Sequence, residues 1–130
     1  MAAVETRVVH LDANFLIEVA AGRATPVRDI EQWLRERRAI HVSAIAWSEF
    51  LCGPLFDWEL NDTRAVVAKV DPFTDDHAEP AAELFNLTGR CSRSHVDCMI
   101  AAHVIRREAM LATRSGQDFR PFTKFGLHLA

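Results

Sequence analysis

Short apolar runs alternate along this chain with longer stretches whose apolar positions recur every three or four residues. Residues 6–11 (TRVVHL), 39–42 (AIHV) and 110–113 (MLAT) read as strands, the first apolar enough to be covered on both faces. A short strand is expected within 70–74 (VDPFT) and an edge strand at 124–127 (KFGL). Helical spacing governs the stretches between. A first helix is expected from Asn14, a good N-cap, to Gly22. Pro26 opens a second, with Val27, Ile30, Trp33 and Leu34 along one side and a basic LRERR end that suits the helix dipole. Ser43 caps a third that stops at Gly53 and Pro54, and 57–70 reads as helical too. Thr74 or Asp75 caps the next, where Pro80 implies a late start or a kink. Residues 95–109 form an amphipathic helix. Strands alternating with helices predict a three-layer α/β/α sandwich with a mainly parallel central sheet, one domain over 1–130. Ligands of such sheets bind beyond the carboxyl ends of the strands.

Four acidic residues interrupt this apolar pattern. Asp12 follows the first strand in VVHLDANFLI, Glu49 lies in SAIAWSEFL, Asp97 in HVDCMIAAHVI and Asp118 in SGQDFRPF. Asp97 shares a helix side with Ile100, Ala101, Val104 and Ile105, and Glu49 with Ile45, Ala46 and Cys52, so both are expected on buried faces. An unpaired carboxylate in such a setting is costly, and Arg120 is the one cation close to these windows. A cation from solution is the obvious partner. Carboxylates converging on Mg²⁺ or Mn²⁺ make a metal-dependent enzyme acting on phosphate esters. Each residue alone also has a structural reading: Asp12 as a cap, Asp97 in a first turn, Asp118 in a turn. Glu49, placed mid-helix beside Trp47 and Phe50, has none.

Composition narrows the setting. The balance of 49% hydrophobic and 25% charged residues is that of an ordinary globular protein, and no signal-like or membrane-length apolar run is present. Three cysteines (Cys52, Cys91, Cys98), an odd number, disfavour a disulfide framework and suit a reducing compartment, so a cytoplasmic protein is expected. With a net charge of −3, any nucleic acid would have to be held by a local patch and the metal.

The ordered motifs LDANFLI, SAIAWSEFLCG, VDCMIAAHV and LATRSGQDF, with DPFTDDHAEPAAEL leading into the third, resemble the PIN domain (PilT N-terminus) family over almost the whole chain. The likeness is to the bacterial VapC-type toxins of toxin–antitoxin pairs. It implies a PIN-like fold and a Mg²⁺- or Mn²⁺-dependent endoribonuclease that hydrolyses RNA phosphodiester bonds. It also implies a homodimer held in check by a small antitoxin. Asp12 and Asp97 would then be direct metal ligands, with Glu49 and Asp118 binding a second ion or holding the water. Asn14 and Thr113 would steady the ligands from outside. The chain departs from the family at Ser115, where the family often has Asn or Asp; Ser115 can bond a metal-bound water but adds no charge at the second metal position. Arg90, Arg93 and Arg114, flanking the acidic motifs, are the RNA-contact candidates, and Arg23 could join them.

Rival readings are weaker. Cys91, His95, Cys98 and His103 match none of the familiar zinc spacings, so core cysteines are the better account. No G-x-S-x-G elbow is present. A haloacid-dehalogenase-like phosphatase would want a second Asp where Asn14 stands. A catalytically silent PIN-like interaction module is the alternative from another class. Leu51, Leu55, Phe56 and Trp58 could supply an interface in either case, and the three tryptophans suit the core or a dimer face.

Overall fold

The computed structural model describes residues 7–90 and 94–130. Five strands, β1 (Val8–Leu11), β2 (Ala39–Ser43), β3 (Lys69–Asp71), β4 (Met110–Ala112) and β5 (His128–Leu129), form one sheet in the order β3-β2-β1-β4-β5. Every pairing is parallel. The chain steps from β1 to β2 to β3 in one direction, then returns across the sheet to β4 and β5. Right-handed crossovers taken in opposite directions put helices on opposite faces. Thus α1 (Ala13–Ala20), α2 (Ala24–Arg35), α3 (Ala44–Leu51) and α4 (Asp57–Val66) cover one side, and α5 (Asp75–Leu87) packs along α6 (His95–Arg106) on the other. The expected α/β/α sandwich is what forms.

Alternation along β1 sorts its side chains between the layers. His10 points to the α6 layer, where its ring centroid lies 5.2 Å from that of His103. Val9, Leu11, Ile40, Val42 and Leu111 from the strands pack with Phe15, Leu16, Phe50, Val104 and Phe122 from the helices, all buried. Trp33 and Trp47 are half-buried against this core, whereas Trp58 is 59% exposed and stacks on Phe56, itself 69% exposed.

Several boundaries differ from those the sequence predicts. Strand β1 starts at Val8, and Thr6 lies outside the described residues. Of the two cap readings for α1, Asp12 and not Asn14 is the cap, because Asp12 keeps an extended backbone and accepts the Phe15 N–H at 2.8 Å. Ser43 does cap α3, accepting the Ala46 N–H at 3.1 Å. Helix α2 begins at Ala24, ahead of Pro26, whose missing N–H falls in a first turn that has no intrahelical acceptor. Helix α4 stops at Val66, which lets β3 form at Lys69–Asp71 rather than 70–74. Helix α5 starts at Asp75 and runs through Pro80, so there is no late start: the lost bond would have gone to Asp76, an exposed residue of the first turn. Helix α6 ends at Arg106, short of 109. The last strand is His128–Leu129 and not 124–127. Residues Arg120–Phe125 wind into a 3-10 helix that ends at Gly126, whose φ of 107° is in the left-handed region that glycine tolerates. No helix among the described residues is long and apolar enough to cross a membrane.

Phe50 is fully buried where α3 meets the sheet. Phe50→Ala should lower the unfolding free energy by about 3–5 kcal/mol, read from urea titration with an unchanged m-value. A loss below about 1 kcal/mol would show that α3 does not dock as described.

Candidate active site

Asp12 stands one residue beyond β1, at the point where strand order reverses toward β4. Its N–H donates to Ala112 O, on the last residue of β4, at 3.1 Å, one rung past the end of β1. The residue is 3% exposed, and each carboxylate oxygen accepts one hydrogen bond, which leaves further lone pairs for the cleft. Oδ1 accepts the Phe15 N–H, and Oδ2 accepts the hydroxyl of Thr113, the residue that follows β4. Thr113 Oγ1 in turn accepts the Ser115 N–H at 2.9 Å, and Ser115 Oγ accepts from Asn14 Nδ2 at 2.7 Å. The loop after β4 is thereby tied twice to the start of α1.

The remaining carboxylates arrive from three other elements. Helices α3 and α6, from opposite faces, meet over the carboxyl edge of the sheet and bring Glu49 and Asp97 there. A short helix, α7 (Gly116–Phe119), brings Asp118, whose N–H donates to Ser115 O at 2.9 Å. Asp12, Asn14, Glu49, Asp97, Ser115 and Asp118 line one cleft of about 50 Å³, with Ala13, Ile100 and Phe119 as its apolar wall. Two expectations need correction. Glu49 is exposed, not on a buried face: Ala46 and Phe50 carry the buried side of α3, and Glu49 sits about 60° round from Ala46 on the flank. Asp118 is in a helical turn rather than a loop and is exposed, because the 115–119 segment coils to bury Phe119 beneath it. Asp97, in the first turn of α6, is half-buried.

The cleft is electrostatically self-opposed. Burial first, then the charges of Asp118, Glu49 and Asp12, pushes Asp97 up from 3.8 to about 6. Burial and then Asp12 raise Glu49, whose inner edge is dehydrated although most of its surface is open. Burial also raises Asp12, against the lowering hydrogen bonds from Thr113 and Phe15. Like charges that raise one another bind a cation readily. The donor set, all oxygen, fits Mg²⁺ or Mn²⁺. These carboxylates are not among the described groups whose ligand atoms all fall within 4.8 Å of one another, a looser spacing that suits an ion keeping several waters.

Of the basic residues, Arg114, next in sequence to the cleft-lining Ser115, pairs with Glu18 at 2.5 Å. Arg90 bonds Asn86 Oδ1 at 2.6 Å and lies over the Phe85 ring. Arg93 and Cys91 lie outside the described residues. His95 is exposed against Phe85 and Cys98 is buried, and among the described residues neither forms a metal-ligating group with His103.

A second polar cluster escaped the sequence reading. His10, Asp71 and His103 are buried together between the sheet and α6, with His41 and His77 beside them. Burial lowers His10 to about 3 and His103 to about 4, each further lowered by a neighbouring histidine, so both rings are neutral. The visible signal was a histidine inside each of two predicted strands: His10 and His41 are register partners.

The raised pKa of Asp97 sets a pH dependence. Between about pH 4 and pH 6 the native state of the metal-free protein holds a proton that the unfolded chain has released. Its stabilising contribution is complete below 3.8 and lost as pH rises through about 6. His10 and His103 act oppositely over that range, so the difference between wild type and variant is the readout. Asp97→Asn should match wild type near pH 4 and, in chelator at about pH 7.5, exceed it by on the order of 1–2 kcal/mol after solvent screening, a few degrees in Tm. A variant less stable than wild type at the higher pH would contradict this electrostatic account.

The fold is shared with proteins of known structure. VapBC2 from Rickettsia felis, bound to a DNA fragment from its promoter, matches with a TM-score of 0.74 at 18% identity, over 95% of this chain and 97% of that one. A toxin–antitoxin complex from Klebsiella pneumoniae matches with a TM-score of 0.69 at 24% identity, over 86% and 90%. VapC20 of Mycobacterium tuberculosis, described as a sarcin–ricin loop cleaving toxin, matches with a TM-score of 0.57 at 20% identity, over 81% and 86%. No curated protein matches the sequence at a significant level. The PIN domain model matches residues 9–123, a span holding every cleft residue from Asp12 to Asp118, and the chain belongs to the PIN domain family.

Proposed function

We propose that this chain is a Mg²⁺- or Mn²⁺-dependent endoribonuclease, the VapC-type toxin of a toxin–antitoxin pair, acting as one nuclease unit over 1–130. The observation that carries the reading is the cleft at the strand-order reversal. There Asp12, Glu49, Asp97 and Asp118 converge and the first three have raised pKa values. Asp12 and Asp97 are the direct ligands, and Glu49 and Asp118 hold the attacking water or a second ion. When bound, the divalent ion supplies Lewis-acid polarisation of the scissile phosphate and lowers the pKa of the attacking water. Thr113 holds Asp12 in place through its hydroxyl, while Asn14 and Ser115 fix the two flanking loops to each other. Ile100 and Phe119 exclude water from one side of the cleft. The uncharged Ser115 can bond a metal-bound water but adds no charge at the second ion's position.

RNA is the substrate class this reading favours, and the description of VapC20 as a sarcin–ricin loop cleaving toxin supports it. Arg114, with Arg90 and Arg93, supplies the phosphate contacts that the net charge of −3 does not. The Rickettsia felis and Klebsiella pneumoniae structures contain toxin–antitoxin assemblies, which supports an antitoxin partner here. The exposed Leu51, Phe56 and Trp58, with Leu55, are the apolar surface we assign to that partner or to a homodimer in the cytoplasm.

Purified protein incubated with structured RNAs, including a sarcin–ricin loop, should cleave with Mg²⁺ or Mn²⁺ and stop in chelator. Asp97→Asn should reduce the rate at least ~100-fold, the upper end of the loss seen even for outer partners of metal ligands. Cleavage that ignores chelator and survives Asp97→Asn would sink the proposal. Thr113→Val, which removes the hydroxyl from Asp12, should weaken the Mg²⁺ dependence of cleavage by ~10–100-fold, read as the metal concentration for half-maximal rate.

A further inference from the structure

We propose that His10, Asp71 and His103 hold a structural transition-metal ion, Zn²⁺ by their chemistry, that pins strand β3 to β1 and helix α6. Their ligand atoms all lie within 4.8 Å of one another, and all three residues are buried. Asp71 Oδ2 is 3.3 Å from His10 Nε2 and 3.8 Å from His103 Nε2. Tetrahedral zinc with bonds of about 2.0–2.2 Å separates its ligand atoms by roughly 3.3–3.5 Å, so only small side-chain adjustments are needed.

The unmet polar atoms argue for an ion. No ring nitrogen of His10 or His103 makes a hydrogen bond of normal geometry, His10 Nε2 meeting only the Asp71 carboxylate at 3.3 Å, and Asp71 Oδ1 makes none either. Groups of this kind left unsatisfied in a protein interior are strongly disfavoured. An ion-pair network is the competing account, since Lys69 Nζ lies 3.4 Å from Asp71 Oδ1 and Arg107 Nε 3.9 Å from Oδ2. Those two side chains are 56% and 42% exposed and can turn to solvent at little loss, and neither meets a ring nitrogen's need. The imidazoles have nowhere else to turn. His41 Nδ1, 3.3 Å from Asp71 Oδ2 and only partly exposed, steadies the carboxylate from the outer side, as partners of metal ligands commonly do.

Ligand type separates this site from the acidic cleft. Imidazole nitrogens suit zinc and its neighbours, whereas Mg²⁺ prefers oxygen. No residue is shared with the cleft: His103 lies six positions beyond Asp97, about 9 Å along α6. The inference does not depend on the nuclease reading.

The test uses the full chain with its purification tag removed, stripped with chelator, reloaded with Zn²⁺ and gel-filtered. Wild type and Asp97→Asn should each retain one zinc per chain, with imidazole scattering in the X-ray absorption spectrum and a melting temperature that Mg²⁺ does not reproduce. Asp71→Asn, nearly isosteric, should lose the bound zinc, and His41→Ala, at a more accessible position, should bind it ~10–100-fold more weakly. Wild type that retains no zinc, a spectrum with oxygen ligands alone, or loss of the zinc in Asp97→Asn would overturn the proposal. Should Asp71→Asn fail to fold, the stoichiometry and spectrum of the wild type still decide it.

Discussion

The candidate site depends on the pairing of β1 with β4. Because the chain completes β1-β2-β3 on one side before crossing back to β4, the residues leaving these two neighbouring strands emerge side by side. One continues the ladder, Asp12 N–H to Ala112 O, and the other places the Thr113 hydroxyl on the Asp12 carboxylate. Asp12 is thus held by a ladder bond from its backbone and by two bonds to its carboxylate, while its charge faces a cleft. The same reversal puts helices on both faces, and only that arrangement lets α3 and α6 reach over one edge with Glu49 and Asp97.

From this follows a conflict between packing and charge. The core residues around the cleft (Ala46, Phe50, Ile100, Phe119) fix the elements, and the elements force carboxylates together. The protein alone relieves part of the strain by protonation, seen in the elevated Asp97, and part by leaving Glu49 and Asp118 in contact with solvent. A divalent cation relieves the rest, so ion binding and stability are linked through the same groups.

Much of the fold was legible because periodicity encodes layers: strands at β1, β2 and β4 and the amphipathic α6 all follow from apolar spacing. The four acidic residues stood out because each interrupts such a pattern. What was not legible depends on contacts between distant residues. Local sequence offers both Asp12 and Asn14 as the cap of α1, and the choice falls to Asp12 while Asn14 is drawn to Ser115, 101 positions away. The 3-10 segment before Gly126 displaces the last strand, and a sequence window that favours apolar KFGL does not register a left-handed stop. The burial of Glu49 was overestimated because a helix side inferred from spacing is wider than the strip that packs. The His10, Asp71 and His103 cluster spans three elements, and no linear spacing reveals it.

The account's central claim is that the acidic cleft binds a divalent ion through Asp12 and Asp97. Anomalous diffraction at the manganese edge, from crystals grown with Mn²⁺, tests it most directly. The account predicts a peak in the cleft between those two carboxylates, with density for metal-bound waters. A cleft without a peak at saturating Mn²⁺, or manganese bound only elsewhere on the molecule, would contradict it.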